Sequence, residues 1–236
     1  MPLTATALSR KLRSRAKPES VAILQRFFKT GPGQYGEGDR FIGVALPVIR
    51  SLGREFRGMA IDELQKLLRS PVHEERALAL VMLVDAFKAG DDRARRRIYD
   101  LYLSNTRFIN NWDLVDCSAA QIVGGWLRGR STAPLTRLAK SKSLWERRIA
   151  MIATFDGIRR GHFDDTFRIA DHLLHDEHDL IHKAVGWLLR EVGKRDGAAE
   201  RAFLKSRYKT MPRTMLRYAI ERFPEAERRR YLEGRI

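Results

Sequence analysis

Apolar residues along the chain recur at helical spacing. Ile61-x-x-Leu64-x-x-Leu67-Leu68 and Leu135-x-x-Leu138-Ala139 each put their large side chains on one face of a helix. Stretches that alternate with period two are few, and no Asn-Gly or Asp-Gly turn joins two of them, so hairpins are not expected. Prolines mark starts, because a first turn has no use for their missing N–H: Pro18, Pro47, Pro71, Pro134, Pro212 and Pro224. Stops fall at Gly58, Gly90, Gly129, Gly161 and Gly234. Ser70-Pro71-Val72-His73-Glu74-Glu75 reads as a helix entry, with a capping residue, a proline and then acids facing the positive end of the helix dipole. The pattern predicts an all-α chain of roughly a dozen helices, each about 10–18 residues long, joined by short loops.

The helices look paired. Five similar five-residue segments recur, with Arg76, Trp112, Arg148, Lys183 and Arg217 as their second residues, which stand 36, 36, 35 and 34 residues apart. A period of this size in a helical chain predicts a superhelical stack of antiparallel helix pairs, a solenoid, here as a single domain over residues 1–236. Four of the five equivalent positions are cationic. On stacked helices they would line one concave face, as a stripe suited to a phosphate backbone. Cations coating exposed helix faces would give the same residues.

Charge sharpens the choice of partner. The 236 residues carry 45 Lys+Arg against 29 Asp+Glu, a formal charge of +16, while 44% of them are hydrophobic, enough for a sizeable core. Such an excess concerns partners rather than fold. Nucleic acid leads, because an anionic membrane surface usually meets one basic amphipathic tail and here the excess is distributed. The longest apolar runs, Ala77–Val84 and Ile149–Ala153, are far short of the ~18–20 residues of a membrane span. The five basic residues before Pro18 allow a transit peptide, but Leu3, Ala7, Leu8, Leu12 and Ala16 equally suit a first amphipathic helix. No secretory leader is recognised, and the single Cys117 excludes an intrachain disulfide and a Cys-based zinc site. A soluble, cytoplasmic, DNA-associated monomer is expected, without membrane contact.

A few segments could carry chemistry. Thr30–Asp39 holds four glycines and a proline; it is neither a P-loop nor a dinucleotide fingerprint, but its N–H groups could approach a phosphate, or it could simply connect helices. In Asn110-Asn111-Trp112-Asp113-Leu114-Val115-Asp116-Cys117-Ser118, Asn111 can cap a helix and Asp113 then lies in its first turn. Trp112 and Asp116, four apart, share a face. The plainer alternative gives Asp113 a cap role, Trp112 a core role and Asp116 a salt bridge. Trp187 has Lys183 and Arg190 on its own face, while Trp126 and Trp145 read as core. His172, His175, His178 and His182 cluster, but no Glu stands between His178 and His182, so neither metal nor cofactor is expected. Cys117 reads as a small buried side chain rather than a nucleophile.

Asn111-Trp112-Asp113-Leu114-Val115-Asp116, Trp145-x-x-Arg148 and Lys183-Ala184-x-Gly186-Trp187-x-x-Arg190, in this order on a helical-repeat chain, resemble the AlkD-like DNA alkylation-repair glycosylases. The likeness runs from the Gly-rich loop and Phe41-Ile42-Gly43-Val44 to Pro212-Arg213-Thr214-Met215-Leu216-Arg217-Tyr218. It implies a HEAT-like superhelix that binds duplex DNA on a basic concave face. It implies monofunctional excision of cationic N3- and N7-alkylated purines in an open groove rather than a base pocket. It places the catalytic aspartate on Asp116, the site tryptophans on Trp112 and Trp187, and the site arginine on Arg148. Arg76, Lys183, Arg190, Arg213 and Arg217 are the candidate DNA contacts. The alternatives are a catalytically silent binder of damaged or branched DNA, and a helical scaffold for protein or RNA.

Overall fold

The computed structural model describes residues 3–236. Every regular element among them is helical, and the nearest approach to a sheet is an isolated parallel bridge between Arg40 and Val72. The all-α expectation holds. The chain divides into two compact units, the first ending at Ile122 and the second beginning at Val123.

The first unit contains α1 (Ala5–Arg13), α2 (Pro18–Phe27), α3 (Leu46–Glu55), α4 (Ile61–Leu68), α5 (His73–Ala89), α6 (Asp92–Ser104) and α7 (Trp112–Asp116). Its centre is α5. The run Ala77–Val84 makes this helix apolar on nearly every side, and such a helix must be enclosed. Leu78, Ala79, Leu80 and Leu83 are fully buried, with α3, α4, α6 and α7 packed around them. Helix α1 is the amphipathic helix expected at the start: Leu8 and Leu12 are buried and it packs on α3 and α4. Leu3, expected on the same face, is exposed.

The entry into α5 differs from expectation. The helix starts at His73 and no side chain caps it. Ser70 instead accepts from the Val72 N–H (3.0 Å) and donates to Glu75 (2.5 Å). The two acids of the first turn are buried, because each is taken up by another segment. Glu74 accepts from the N–H groups of Ile42, Gly43 and Val44 at 2.8–3.2 Å. Glu75 accepts from Ser9 (2.6 Å) and Arg13 (2.8 Å) of α1. Three amides on one carboxylate satisfy donors that would otherwise be buried alone. The backbone reaches that position through Gly43 (φ 85°), where a Cβ would overlap the Lys17 carbonyl.

A π-helical turn over Ala120–Gly124 carries the chain across the boundary into the second unit. It continues through α8 (Gly125–Leu127), α9 (Ala133–Ala139), α10 (Leu144–Ala153), α11 (Phe155–Arg159), α12 (Asp164–His172), α13 (Asp179–Gly193), α14 (Gly197–Lys205), α15 (Arg213–Ala219) and α16 (Glu225–Leu232). Helix α13 packs against α10 and α15, and α9, α12 and α14 pack against that row. Gly186 permits the close approach of α13 and α15, since a Cβ there would lie 2.5 Å from that of Tyr218.

The repeat spacing has a structural counterpart. Arg76, Trp112, Arg148, Lys183 and Arg217 each fall within the first five residues of a helix, namely α5, α7, α10, α13 and α15. Several helices are shorter than the pattern suggested, α7 most of all at 5 residues. It ends where the Ser118 hydroxyl folds back onto the Leu114 carbonyl at 2.5 Å.

Candidate active site and nucleic-acid interface

Helix α7 carries Trp112 at its first position and Asp116 at its last, one turn apart on the same face. Both are half-buried. The Asn111 side chain accepts from the Trp112 N–H at 2.9 Å, so the expected cap is present. The indole is held by aromatic neighbours. Phe28 stacks on it at 5.3 Å with 23° between planes, and Phe27 meets it edge-on at 5.7 Å. The stack continues inward from Phe28 to Phe41 (5.0 Å) and from Phe41 to the His73 ring (4.4 Å).

His73 returns to α7 by a second route. Its Nδ1 lies 2.7 Å from Asp39 Oδ2 and its Nε2 lies 2.8 Å from Asp113 Oδ2. Burial alone would lower the His73 pKa, but hydrogen bonds to Asp113 and Asp39 and their charges raise it to about 9. The ring is therefore an imidazolium at neutral pH and donates to both carboxylates. Burial would raise Asp39, but the His73 hydrogen bond and the Arg76 guanidinium, 2.5 Å away, hold it below its usual range. Asp113 thus does more than begin a helix. It is the outer carboxylate of an Asp39–His73–Asp113 chain that fixes the first turn of α7 to α5 and to the end of the Gly-rich loop.

This network corrects one expectation and bears on another that the sequence left open. Arg76 was expected to meet a phosphate. It is 4% exposed, paired with Asp39 and bonded to the Ser70 carbonyl at 3.1 Å, so its charge is consumed inside the unit. The Gly-rich loop was a candidate phosphate cradle. Three of its four glycine amides are taken: Gly31 N–H donates to Gln34, Gly33 N–H to Glu37, and Gly36 N–H to the Lys29 carbonyl. The loop connects helices and delivers Asp39. His73 and Asp39 were not singled out from the sequence. Their partners lie 34 and 40 residues from His73, a separation that no local pattern reveals.

In the second unit, Arg148 is 5% exposed and donates through Nη1 to the Leu180 carbonyl at 2.6 Å. It ties α10 to the first turn of α13 rather than presenting a free guanidinium to a phosphate. Trp187 is half-buried on α13, with Nε1 donating to Glu191 (3.3 Å) and its ring 5.8 Å from Phe155. Lys183 pairs with Asp179 at 2.6 Å and Arg190 pairs with Glu221. Arg213 is exposed and reaches the Leu232 carbonyl, while Arg217 is exposed. Trp126 is buried with the Arg130 guanidinium 3.9 Å above its ring, and Trp145 is half-buried rather than core. His178 caps α13 by accepting from the Leu180 N–H, and His182 bonds the Asp176 carbonyl, so both rings serve the local backbone. Burial pushes the Cys117 thiol up to about 12, which keeps it protonated.

A family model described as DNA alkylation repair enzyme matches residues 8–223. The chain belongs to that family. Membership supports a role in DNA repair, and the tryptophan–carboxylate helix α7 lies within the matched region. A solved structure described as a predicted DNA alkylation repair enzyme from Enterococcus faecalis shares the fold. The two are 15% identical with a TM-score of 0.69, over 89% of this chain and 98% of that one. No curated protein sequence matches. Among the described residues of this family member, no helix is long and apolar enough to cross a membrane.

Proposed function

We propose that the protein is a monofunctional DNA glycosylase. It hydrolyses the N-glycosidic bond of cationic N3- and N7-alkylated purines in duplex DNA. The observation that carries this reading is α7, where a carboxylate and an indole stand one turn apart on a helix whose first turn is locked by buried charges.

The chemistry needs little else. An N3- or N7-alkylated purine is already a cation and leaves without being protonated. The sugar left behind is oxocarbenium-like in the transition state. Asp116 stabilises that cation and orients or deprotonates the attacking water, and the products are the free base and an abasic site. Such electrostatic stabilisation is commonly worth roughly 3–4 kcal/mol. The indole faces of Trp112 and Trp187 pack against deoxyribose and favour a neighbouring cation by about 0.5–2 kcal/mol each. Arg148, buried against the Leu180 carbonyl, supports the helix that carries Trp187. Lys183, Arg190, Arg213 and Arg217 serve the DNA backbone. No cofactor is required.

Release of 7-methylguanine from methylated duplex DNA tests this directly. Asp116→Asn keeps the shape and removes the charge. It is expected to slow excision by roughly 10²-fold or more, with DNA affinity equal or higher because a carboxylate near phosphate is gone. Tight duplex binding by the unaltered protein without any base release would leave a silent binder of damaged or branched DNA as the function.

A further inference from the structure

Helix α7 is too short to hold itself. Its 5 residues make little more than one turn, and helices of that length are unstable on their own in water. Leu114 and Val115 are fully buried and set its depth in the core. The side that carries Trp112 is set by contacts to its first turn, and one ring supplies two of them. His73 Nε2 donates to Asp113 Oδ2; the other oxygen of that carboxylate, Oδ1, is buried with no partner, so the bond to His73 anchors the whole group. The same ring lies against Phe41 (4.4 Å) and Phe28 (5.0 Å), and Phe28 stacks on the Trp112 indole (5.3 Å). Trp112 and Asp113, neighbours in the chain, are thus held by one imidazole from two directions.

We propose that His73 is a positioning residue for excision: its ring sets where the Trp112 indole and the Asp116 carboxylate stand against the sugar. The inference rests on the glycosylase reading for its link to excision. The charged ring is the one that fits this role. An imidazolium donates to Asp39 and Asp113 at once and is attracted to the aromatic rings of Phe28 and Phe41. A neutral imidazole has one N–H, so its other nitrogen turns a lone pair toward a carboxylate oxygen. Asp39 keeps the Arg76 guanidinium in either case, which leaves Asp113 as the carboxylate that can be let go. The other acids of the same helix turn do not reach the ring: Glu74 is filled by the amides of Ile42, Gly43 and Val44, and Glu75 by Ser9, Arg13 and Ser70. Loss of a proton from a buried residue that touches neither base nor sugar should therefore slow excision. The reaction gives no other reason for such an alkaline decline, because a cationic purine leaves without being protonated.

The test is single-turnover release of 7-methylguanine from methylated duplex DNA, with protein in saturating excess, by the unaltered chain and by His73→Gln across a pH series. The ratio of the two rates at each pH cancels any titration of the substrate, and melting curves at each pH verify that both proteins are folded. The ratio should be about tenfold or more at neutral pH and fall to about twofold or less once the ring of the unaltered protein is neutral, since misplacing a reacting group by roughly 1 Å can cost about 10²-fold. That fall should centre on the His73 pKa of about 9. A ratio near one at neutral pH, or a ratio that stays constant across the series, would overturn the proposal. In parallel, the chain is labelled with 5-fluorotryptophan and followed by fluorine NMR, with the Trp112 line assigned by its loss in Trp112→Phe. In the unaltered protein that line should shift with a midpoint near pH 9, and in His73→Gln it should stay in place. A Trp112 line that does not move in the unaltered protein would overturn the proposal, whether or not the variant folds. No release by the unaltered protein at any pH, with the Trp112 line still titrating, would overturn the glycosylase reading and leave the control of Trp112 by His73 standing.

Discussion

His73 donates through Nε2 to Asp113 across 2.8 Å, and that contact joins the central helix of the first unit to the helix that carries the candidate catalytic carboxylate. The other ring nitrogen is held by Asp39, so the imidazolium has no freedom to turn. Asp113 and Asp116 are both acids on a 5-residue helix, but one is spent on architecture and the other sits on the face of Trp112.

Asp113→Asn should therefore separate from Asp116→Asn in stability as well as in activity. The helix-dipole argument alone allows about 1 kcal/mol or less for Asp113. The ion pair with a buried imidazolium raises the expected loss to about 1–3 kcal/mol, allowing for the partial exposure of Asp113. Urea unfolding measures it. A loss as small as that of an exposed surface acid would mean that His73 does not hold the helix.

The same ring gives stability a pH dependence. The folded pKa of His73, about 9, lies above its ordinary 6.5. The stabilisation is complete below pH 6.5, declines as the unfolded chain loses its proton, and is gone once pH has risen through about 9. His73→Gln should flatten this part of the unfolding free energy plotted against pH. An unchanged curve would show that the decline comes from other groups.

Glu200 predicts a second slope. This residue of α14 is 2% exposed, its Oε1 has no partner, and burial pushes its pKa up to about 8. The folded state thus holds a proton that the unfolded state has released, and stability falls between about pH 4.5 and 8. Glu200→Gln should remove that fall and stabilise the protein at pH 8 by about 1 kcal/mol or more, since each unit of pKa displacement is worth about 1.4 kcal/mol. A variant less stable than the parent at pH 8 would contradict it.

Gly186 offers a test of helix packing near Trp187. A methyl group there would overlap the Met215 carbonyl and the Tyr218 side chain, so Gly186→Ala must push α13 away from α15. Overpacking of this kind costs about 1–3 kcal/mol. The Trp187 emission spectrum, read in a background where the other tryptophans are replaced by Phe, should shift with it. An unshifted spectrum and unchanged stability would mean that the two helices part without strain.

The fold was legible in sequence where a single helix decides the matter. Pro18 opens α2 and Pro134 stands in the first turn of α9, while Leu8 and Leu12 fill the core from α1 as their spacing required. The one-turn relation of Trp112 to Asp116 was legible for the same reason. What could not be read was the direction in which a cation is spent. Arg76 and Arg217 occupy equivalent repeat positions, yet one is sealed against Asp39 and the other is exposed, because only the first finds a carboxylate delivered by a distant loop. Periodicity reports which residues share a face and is silent on long-range partners.

The amides of Ile42, Gly43 and Val44 converge on Glu74, and those of the Gly-rich loop on Gln34, Glu37 and Lys29, so the main chain here holds oxygen atoms of its own. A protein that grips an oxyanion with backbone amides fixes it in a rigid socket. One that grips with long arginine side chains lets each phosphate be traded for the next as the duplex passes. Filled by Glu74, Gln34, Glu37 and the Lys29 carbonyl, the sockets here spend their grip on holding the chain to itself.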